Sequence, residues 1–188
     1  GFPRATVQQM VDAWSRMIDD PEPPTPDFHA VTGQHGDIMI PEDRLKAAVV
    51  KAAPGLPHEE IPEGVEAEWV SDQGEVKEVA LWSGPLATTA RRATVLADAG
   101  LATLESADDP YAGDARPVVP LGAYLYEPDG AVIRAGLVTA VADRVGGGLI
   151  DEHIAWVTSD ERHRTPFARG YRVLERLPYR EKPLRAAL

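Results

Sequence analysis

Residues 65–82 read VEAEWVSDQGEVKEVALW, and the fold turns on this stretch. Small or apolar residues alternate with charged ones along VEAEWVS (65–71) and EVKEVALW (75–82), the period of a strand with two unlike faces. Asp72-Gln73-Gly74 joins the arms, with a glycine where a tight turn needs a left-handed residue. The pattern predicts a β-hairpin with Ala67 and Trp69 on one face and Glu66 and Glu68 on the other. Trp82 is expected near the aromatic of the opposite arm. A second β pair is expected downstream, RRATVLA (91–97) with LATLES (101–106), joined through Asp98-Ala99-Gly100. Residues 49–108 therefore read as a β-rich segment.

Upstream, Val7, Met10, Val11, Trp14 and Ile18 recur at helical spacing from Thr6, an N-cap residue type, to Asp19. DDPEPPTPD (19–27) ends that helix, because proline lacks the N–H donor and fixes φ. Asp37–Ile40 reads as a short strand, and Pro41 can open a helix with acids in its first turn. Residues 1–48 are thus a helical lead with a proline-rich linker. Downstream, DDPYAGDARP (108–117) is a turn-rich boundary. Beyond it, residues 129–144 predict one helix, with Val132, Ile133, Gly136, Leu137, Ala140 and Val141 as its stripe and Gly146-Gly147-Gly148 as its stop. Ile154–Thr158 and Phe167–Leu177 read as strands. In the second, Phe167, Arg169, Tyr171 and Val173 share a face, while Arg172, Leu174 and Arg176 point the other way.

The chain has 188 residues, enough to bury a core, and no cysteine. That removes disulfides, thiolate metal sites and cysteine nucleophiles, and it fits a reducing, cytoplasmic setting. No apolar run approaches the ~20 residues of a membrane span. The net charge of −11 is unevenly placed. Residues 1–116 carry 9 Lys/Arg against 21 Asp/Glu, whereas 117–188 carry 10 against 9. Within 162–185 there are eight basic residues and two acids. An acidic body repels nucleic acid, so only this basic tail is suited to meet phosphates.

Chemical motifs are sparse. His29, His35, His58, His153 and His163 lack the i, i+4 pairing of a helical zinc site, and surface or packing roles account for each. The glycines at 146–148 follow a helix and precede a strand, the reverse of a phosphate cradle. No GxGxxG, Walker or GxSxG pattern occurs. Tyr124 and Tyr126, in YLYEPD (124–129), can stack on bases or can be two neighbours on one strand face. FARGYRVLERLPYREKPLR (167–185) is the best partner surface: arginine forks grip phosphate, and Tyr171 or Tyr179 can stack on a base. A solvated edge strand guarded by charge is the ordinary alternative.

Three ordered segments then carry a resemblance: PLGAYLYEPDGAVIRAGLV (120–138), LIDEHIAWVTSD (149–160) and TPFARGYRVLERLPYREKPLRAAL (165–188). Together with AEWVSD and WSGPL upstream, they resemble the C-terminal part of bacterial class I S-adenosylmethionine-dependent methyltransferases that end in a THUMP-like domain. The resemblance runs from about Leu45 to the end. It implies an α+β fold, with residues 49–108 as the hairpin-rich remnant of a Rossmann-like methyltransferase sheet and 117–188 as a small THUMP-like lobe. It also implies methyl transfer, on RNA by analogy, in the complete family member. The family's glycine-rich cofactor loop, acidic ribose ligand and DPxR-like motif have no counterpart here, so the chain looks like a member cut at both ends or one whose N-terminal portion has been replaced. No catalytic, cofactor or metal residue carries over, and S-adenosylmethionine is expected in the complete family member but not in this chain alone.

The expected RNA or substrate contacts are Tyr124, Tyr126, Arg164, Arg169, Arg172, Arg176, Arg180 and Lys182. Two alternatives stay open. One is a non-enzymatic module that meets RNA or a protein through the arginine-rich strand. The other is a homodimer formed through an exposed sheet edge.

Overall fold

The alternation in 65–82 becomes two antiparallel strands, β2 (Glu66–Asp72) and β3 (Glu75–Ser83). They are joined by a two-residue turn in which Gln73 and Gly74 both take positive φ, 54° and 82°. This turn geometry matches the twist of the flanking strands. The computed structural model describes residues 48–98, 100–111, 117–178, 180, 181 and 185. The helix expected at 6–19, the linker at 19–27 and the strand at 37–40 lie outside the described residues.

The described residues form two compact units. The first ends at Asp109 and regains Asp129–Leu137; the second comprises Pro110–Pro128 and the chain from Val138 onward. The first holds a five-stranded sheet in the order β1-β3-β2-β4-β5. Here β1 is Ala48–Ala52, β4 is Arg91–Ala97 and β5 is Gly100–Glu105. Only β2 and β4 run parallel; every other pair is antiparallel. The second hairpin is thus found as read. By contrast, a helix opened at Pro41 does not run on through AVVKA, which forms β1 instead.

Register decides what each face carries. Trp69 pairs with Val79, and Glu66 pairs with Trp82. Trp82 therefore lies on the face opposite Trp69, and the expected contact between the two aromatics is not made. Trp69, Ala67, Val79, Leu81, Ala93 and Leu104 are buried on one side. Against them packs α1 (Gly130–Ala135), through Ala131, Val132 and Ala135. Burying a side chain of this class stabilises by about 1.5–3 kcal/mol.

The helix expected at 129–144 is two helices. α1 is capped by Asp129, whose carboxylate accepts from the Ala131 N–H at 2.8 Å. It stops at Gly136, which has φ +69°. There the Leu137 N–H returns to the Val132 carbonyl and closes the last turn. Sequence periodicity runs unbroken through a glycine in this conformation, but the backbone does not. The chain restarts as α2 (Val138–Arg144) in the second unit.

The second unit holds a four-stranded antiparallel sheet in the order β7-β8-β6-β9. Its strands are β6 (Tyr124–Pro128), β7 (Gly148–Asp151), β8 (Ile154–Ser159) and β9 (Ala168–Arg172). Strand β7 was not foreseen; it pairs with β8 across Glu152-His153. Strand β9 is shorter than the expected 167–177. Tyr126, Ala142, Val145, Leu149 and Val157 form the core of this unit. The architecture is a mixed, sheet-rich α+β. No helix among the described residues is long and apolar enough to cross a membrane.

Candidate nucleic-acid interface

A connection constrained by topology builds the site. Strands β8 and β9 flank β6, and both run antiparallel to it. β8 ends opposite Tyr124, at the start of β6, and β9 begins opposite Pro128, at its end. Residues 160–167 must therefore travel back along β6 over one face. That face carries Tyr124 and Tyr126, because alternate residues of a strand point the same way. The crossing segment and the sheet enclose a groove of about 680 Å³. Tyr124, Arg162, His163, Arg164, Tyr171 and Arg172 are prominent in its wall.

Tyr126 holds the crossing segment in place. Its hydroxyl donates to the Glu161 carbonyl at 3.0 Å and accepts from the His163 N–H at 2.8 Å. The ring is 1% exposed and lies opposite Gly170, where a Cβ would come within 3.0 Å of its Cε1 atom. Ser159 adds a second tie, its hydroxyl donating to the same Glu161 carbonyl at 2.6 Å. At the far end Phe167 is buried, and the Arg144 guanidinium sits 5.1 Å from its ring centroid. The segment is thus fixed at both ends and in the middle, with Arg162 and Arg164 exposed between.

Charge in the groove is one-sided. Among the described residues, Arg162, Arg164 and Arg172 make no ion pair, while His163 lies 4.0 Å from Glu161. Arg172 stands opposite Tyr124 in the β6–β9 register, so a guanidinium and a phenol ring share the rim.

The expected contact residues separate. Tyr124, Arg164 and Arg172 line the groove, exposed or half-buried. Tyr126 lines it as a buried anchor whose hydroxyl is already engaged. Arg169 lies on the other face of β9, with its guanidinium 5.5 Å from the Tyr171 ring centroid. Arg176 and Arg180 are exposed in the segment after β9, outside the groove, and Lys182 lies outside the described residues. Arg162 falls inside the basic stretch 162–185 expected to meet phosphates but is not singled out there as a contact, His163 reads as a surface or packing residue, and Thr165 is not picked out. Their one available signal was the arginine–histidine–arginine run just past a strand. Tyr171 donates its hydroxyl to Glu127 Oε2 at 2.9 Å, and that hydrogen bond holds the phenol above its ordinary pKa.

Two other histidines, His58 and His153, are accounted for structurally. His58 packs on Trp69, with ring centroids 5.0 Å apart, and its Nε2 lies 2.6 Å from the Arg134 carbonyl at the end of α1. Arg91 caps the same helix end through the Ala135 carbonyl at 3.0 Å. His153 sits in the exposed β7–β8 turn. His29 and His35 lie outside the described residues. Among the described residues no cluster of three metal-ligating side chains occurs.

Two comparisons bear on identity. Over 168 residues the chain is 39% identical to uncharacterised S-adenosylmethionine-dependent methyltransferases from two strains of Mycobacterium tuberculosis, CDC 1551/Oshkosh and H37Rv. The chain is related to the S-adenosylmethionine-dependent methyltransferases. The match takes in 86% of this chain and 44% of each relative, so the chain spans less than half the length of the relatives it matches. A proposed methyltransferase from Porphyromonas gingivalis W83, known from its crystal structure, shares the fold with a TM-score of 0.61 at 20% identity, over 78% of this chain and 40% of that one. No protein-family model matches the chain. The resemblance read from about Leu45 to the end is supported at the level of similarity to methyltransferases.

Proposed function

We propose that this chain serves an S-adenosylmethionine-dependent methyltransferase as its RNA-engaging part, with residues 117–188 acting as a THUMP-like lobe. One observation carries this reading: three arginines without ion-pair partners among the described residues converge on a tyrosine-rimmed groove. Arginine forks match phosphate oxygens, and an exposed phenol offers a stacking face. The acidic remainder of the chain confines phosphate contacts to this region.

The described residues do not fit the methyl donor. An adenosyl cofactor rests where a parallel strand passes through a glycine-bearing turn into a helix, with a carboxylate for the ribose. Strands β2 and β4 instead turn at their carboxyl ends straight into antiparallel partners, β3 and β5. We therefore assign the donor to other residues and give this region the work of holding the substrate.

A titration with structured RNA at two salt concentrations tests the reading. Binding that weakens as salt rises is expected. No binding at low salt overturns the reading and leaves a protein partner in its place, a role that Leu174, 81% exposed beside β9, would favour. Calorimetry with S-adenosylmethionine tests the second part, and micromolar affinity for this chain would sink it.

A further inference from the structure

The two faces of β9 differ. Gly170 and Arg172 turn toward the groove, whereas Arg169 and Tyr171 lie on the opposite face of the four-stranded sheet. That face also carries Leu125 and Glu127 of β6, since Leu125 pairs with Tyr171 and Glu127 with Arg169. On β8, the alternation about Val157, which pairs with Tyr126, puts Trp156 on this face too. The Trp156 and Tyr171 ring centroids are 6.1 Å apart, with planes tilted by 40°. Tyr171 is 38% exposed and Arg169 is exposed. The core of the unit, with α2, lies against the other face.

We infer that this outer sheet face is a base-stacking platform for single-stranded RNA, built from Trp156, Tyr171 and Arg169. The inference rests on the RNA reading of the groove. Three features favour a nucleobase as the occupant. The two rings are large and flat, and the Arg169 guanidinium adds a planar cation beside them. The neighbouring acid, Glu127, accepts the Tyr171 hydroxyl at 2.9 Å, which fixes the ring's position for a base to stack on. Tyr171 also borders the groove, so a strand whose phosphates meet Arg164 and Arg172 can pass over the β9 edge and lay its bases on this face. Among the described residues β9 is an edge strand, with no further strand beside it on that path.

The test uses the whole chain with two oligonucleotides of equal length, an oligouridylate and its abasic counterpart, at low and moderate salt. The base-bearing strand should bind about five- to a hundred-fold more tightly, the scale of one stacked base. Trp156→Leu and Tyr171→Leu should remove most of that ratio without changing the salt dependence. Arg164→Ala with Arg172→Ala should weaken both oligonucleotides alike and flatten the salt dependence. Tyr171 is exposed, so its variant tests the platform even if Trp156→Leu fails to fold. Equal affinity for the two strands, or a ratio unmoved by Tyr171→Leu, overturns the platform and leaves the groove intact. If neither oligonucleotide binds at low salt, both ideas fall.

Discussion

Charge is handled in opposite ways in the two sheets. In the five-stranded sheet, Glu66 is 2% exposed and saturated: its Oε2 accepts from the Thr88 N–H at 2.7 Å and the Thr89 N–H at 3.1 Å. Arg92 lies 3.1 Å from its other oxygen, in ionic contact but off the hydrogen-bonding direction. Glu68 is likewise taken up by the Trp82 indole at 2.9 Å and the Thr94 hydroxyl at 2.5 Å. These carboxylates tie a loop and three strands together. On and over the four-stranded sheet, Arg162 and Arg164 of the crossing segment and Arg172 of β9 have no ion-pair partner among the described residues. A buried charge that is fully partnered is structure, because leaving it unpartnered costs several kcal/mol. An exposed charge held without a partner at a groove costs the fold little and remains available to a ligand.

That contrast can be broken, and the largest expected effect is at Glu66. Glu66→Ala strands two backbone N–H groups and takes from Arg92 one of its two carboxylate neighbours, the other being Glu105 at 3.1 Å. It should lower stability by about 2–4 kcal/mol in urea denaturation. RNA affinity of the folded fraction should not change. The reverse pattern is expected for Arg164→Ala with Arg172→Ala. Stability should stay within about 0.5 kcal/mol. RNA affinity should fall on the order of ten-fold, with the salt slope reduced by roughly 0.7 per lost phosphate contact. A large loss of stability from the arginine pair would show that these charges are structural after all.

Tyr126→Phe sharpens the comparison, since this residue belongs to both categories. Losing its hydroxyl frees the Glu161 carbonyl and the His163 N–H, with an expected cost of about 1 kcal/mol. Because those bonds position Arg162 and Arg164, RNA affinity should drop as well, in contrast to Glu66→Ala. The smallest effect is at Tyr171. Its phenol is held above the ordinary value mainly by donation to Glu127. The stabilising bond is therefore present below the unfolded-state pKa and is lost as pH rises through the folded-state value. Ultraviolet titration of Glu127→Gln should show one tyrosine ionising at lower pH than in the parent protein, and an unchanged curve would remove that hydrogen bond from the account.

Much of the first sheet was legible. Both hairpins announced themselves, because period-two alternation and a Gln-Gly or Gly turn are local signals. Gln73 is the one described non-glycine residue with positive φ, and the glycine after it marked the turn. The two-helix break at Gly136 was less visible, since a stripe of Val132, Ile133, Leu137 and Val141 fits one helix as well as two. The site was half legible. Tyr124, Arg164 and Arg172 could be named from composition and strand alternation, and Arg162 only as one of the basic residues of 162–185, whereas the groove position of Arg162 and His163 could not be read. Their place follows from β6 lying between β8 and β9, a pairing between residues more than thirty positions apart.

What the amino-acid order determined alone is local: where strands turn, which side chains share a strand face, which end of the chain is basic, and a kinship with methyltransferases carried by ordered segments. The assembled chain decided the rest. It made β2 and β4 parallel neighbours, it put Trp82 on the far side of the sheet from Trp69, and it drew residues 160–167 across the tyrosines of β6. The reason is physical. Alternation and turn chemistry act over a few residues, but strand order and register are chosen by whichever long-range pairing buries Trp69, Tyr126 and their neighbours while leaving no buried charge without a partner.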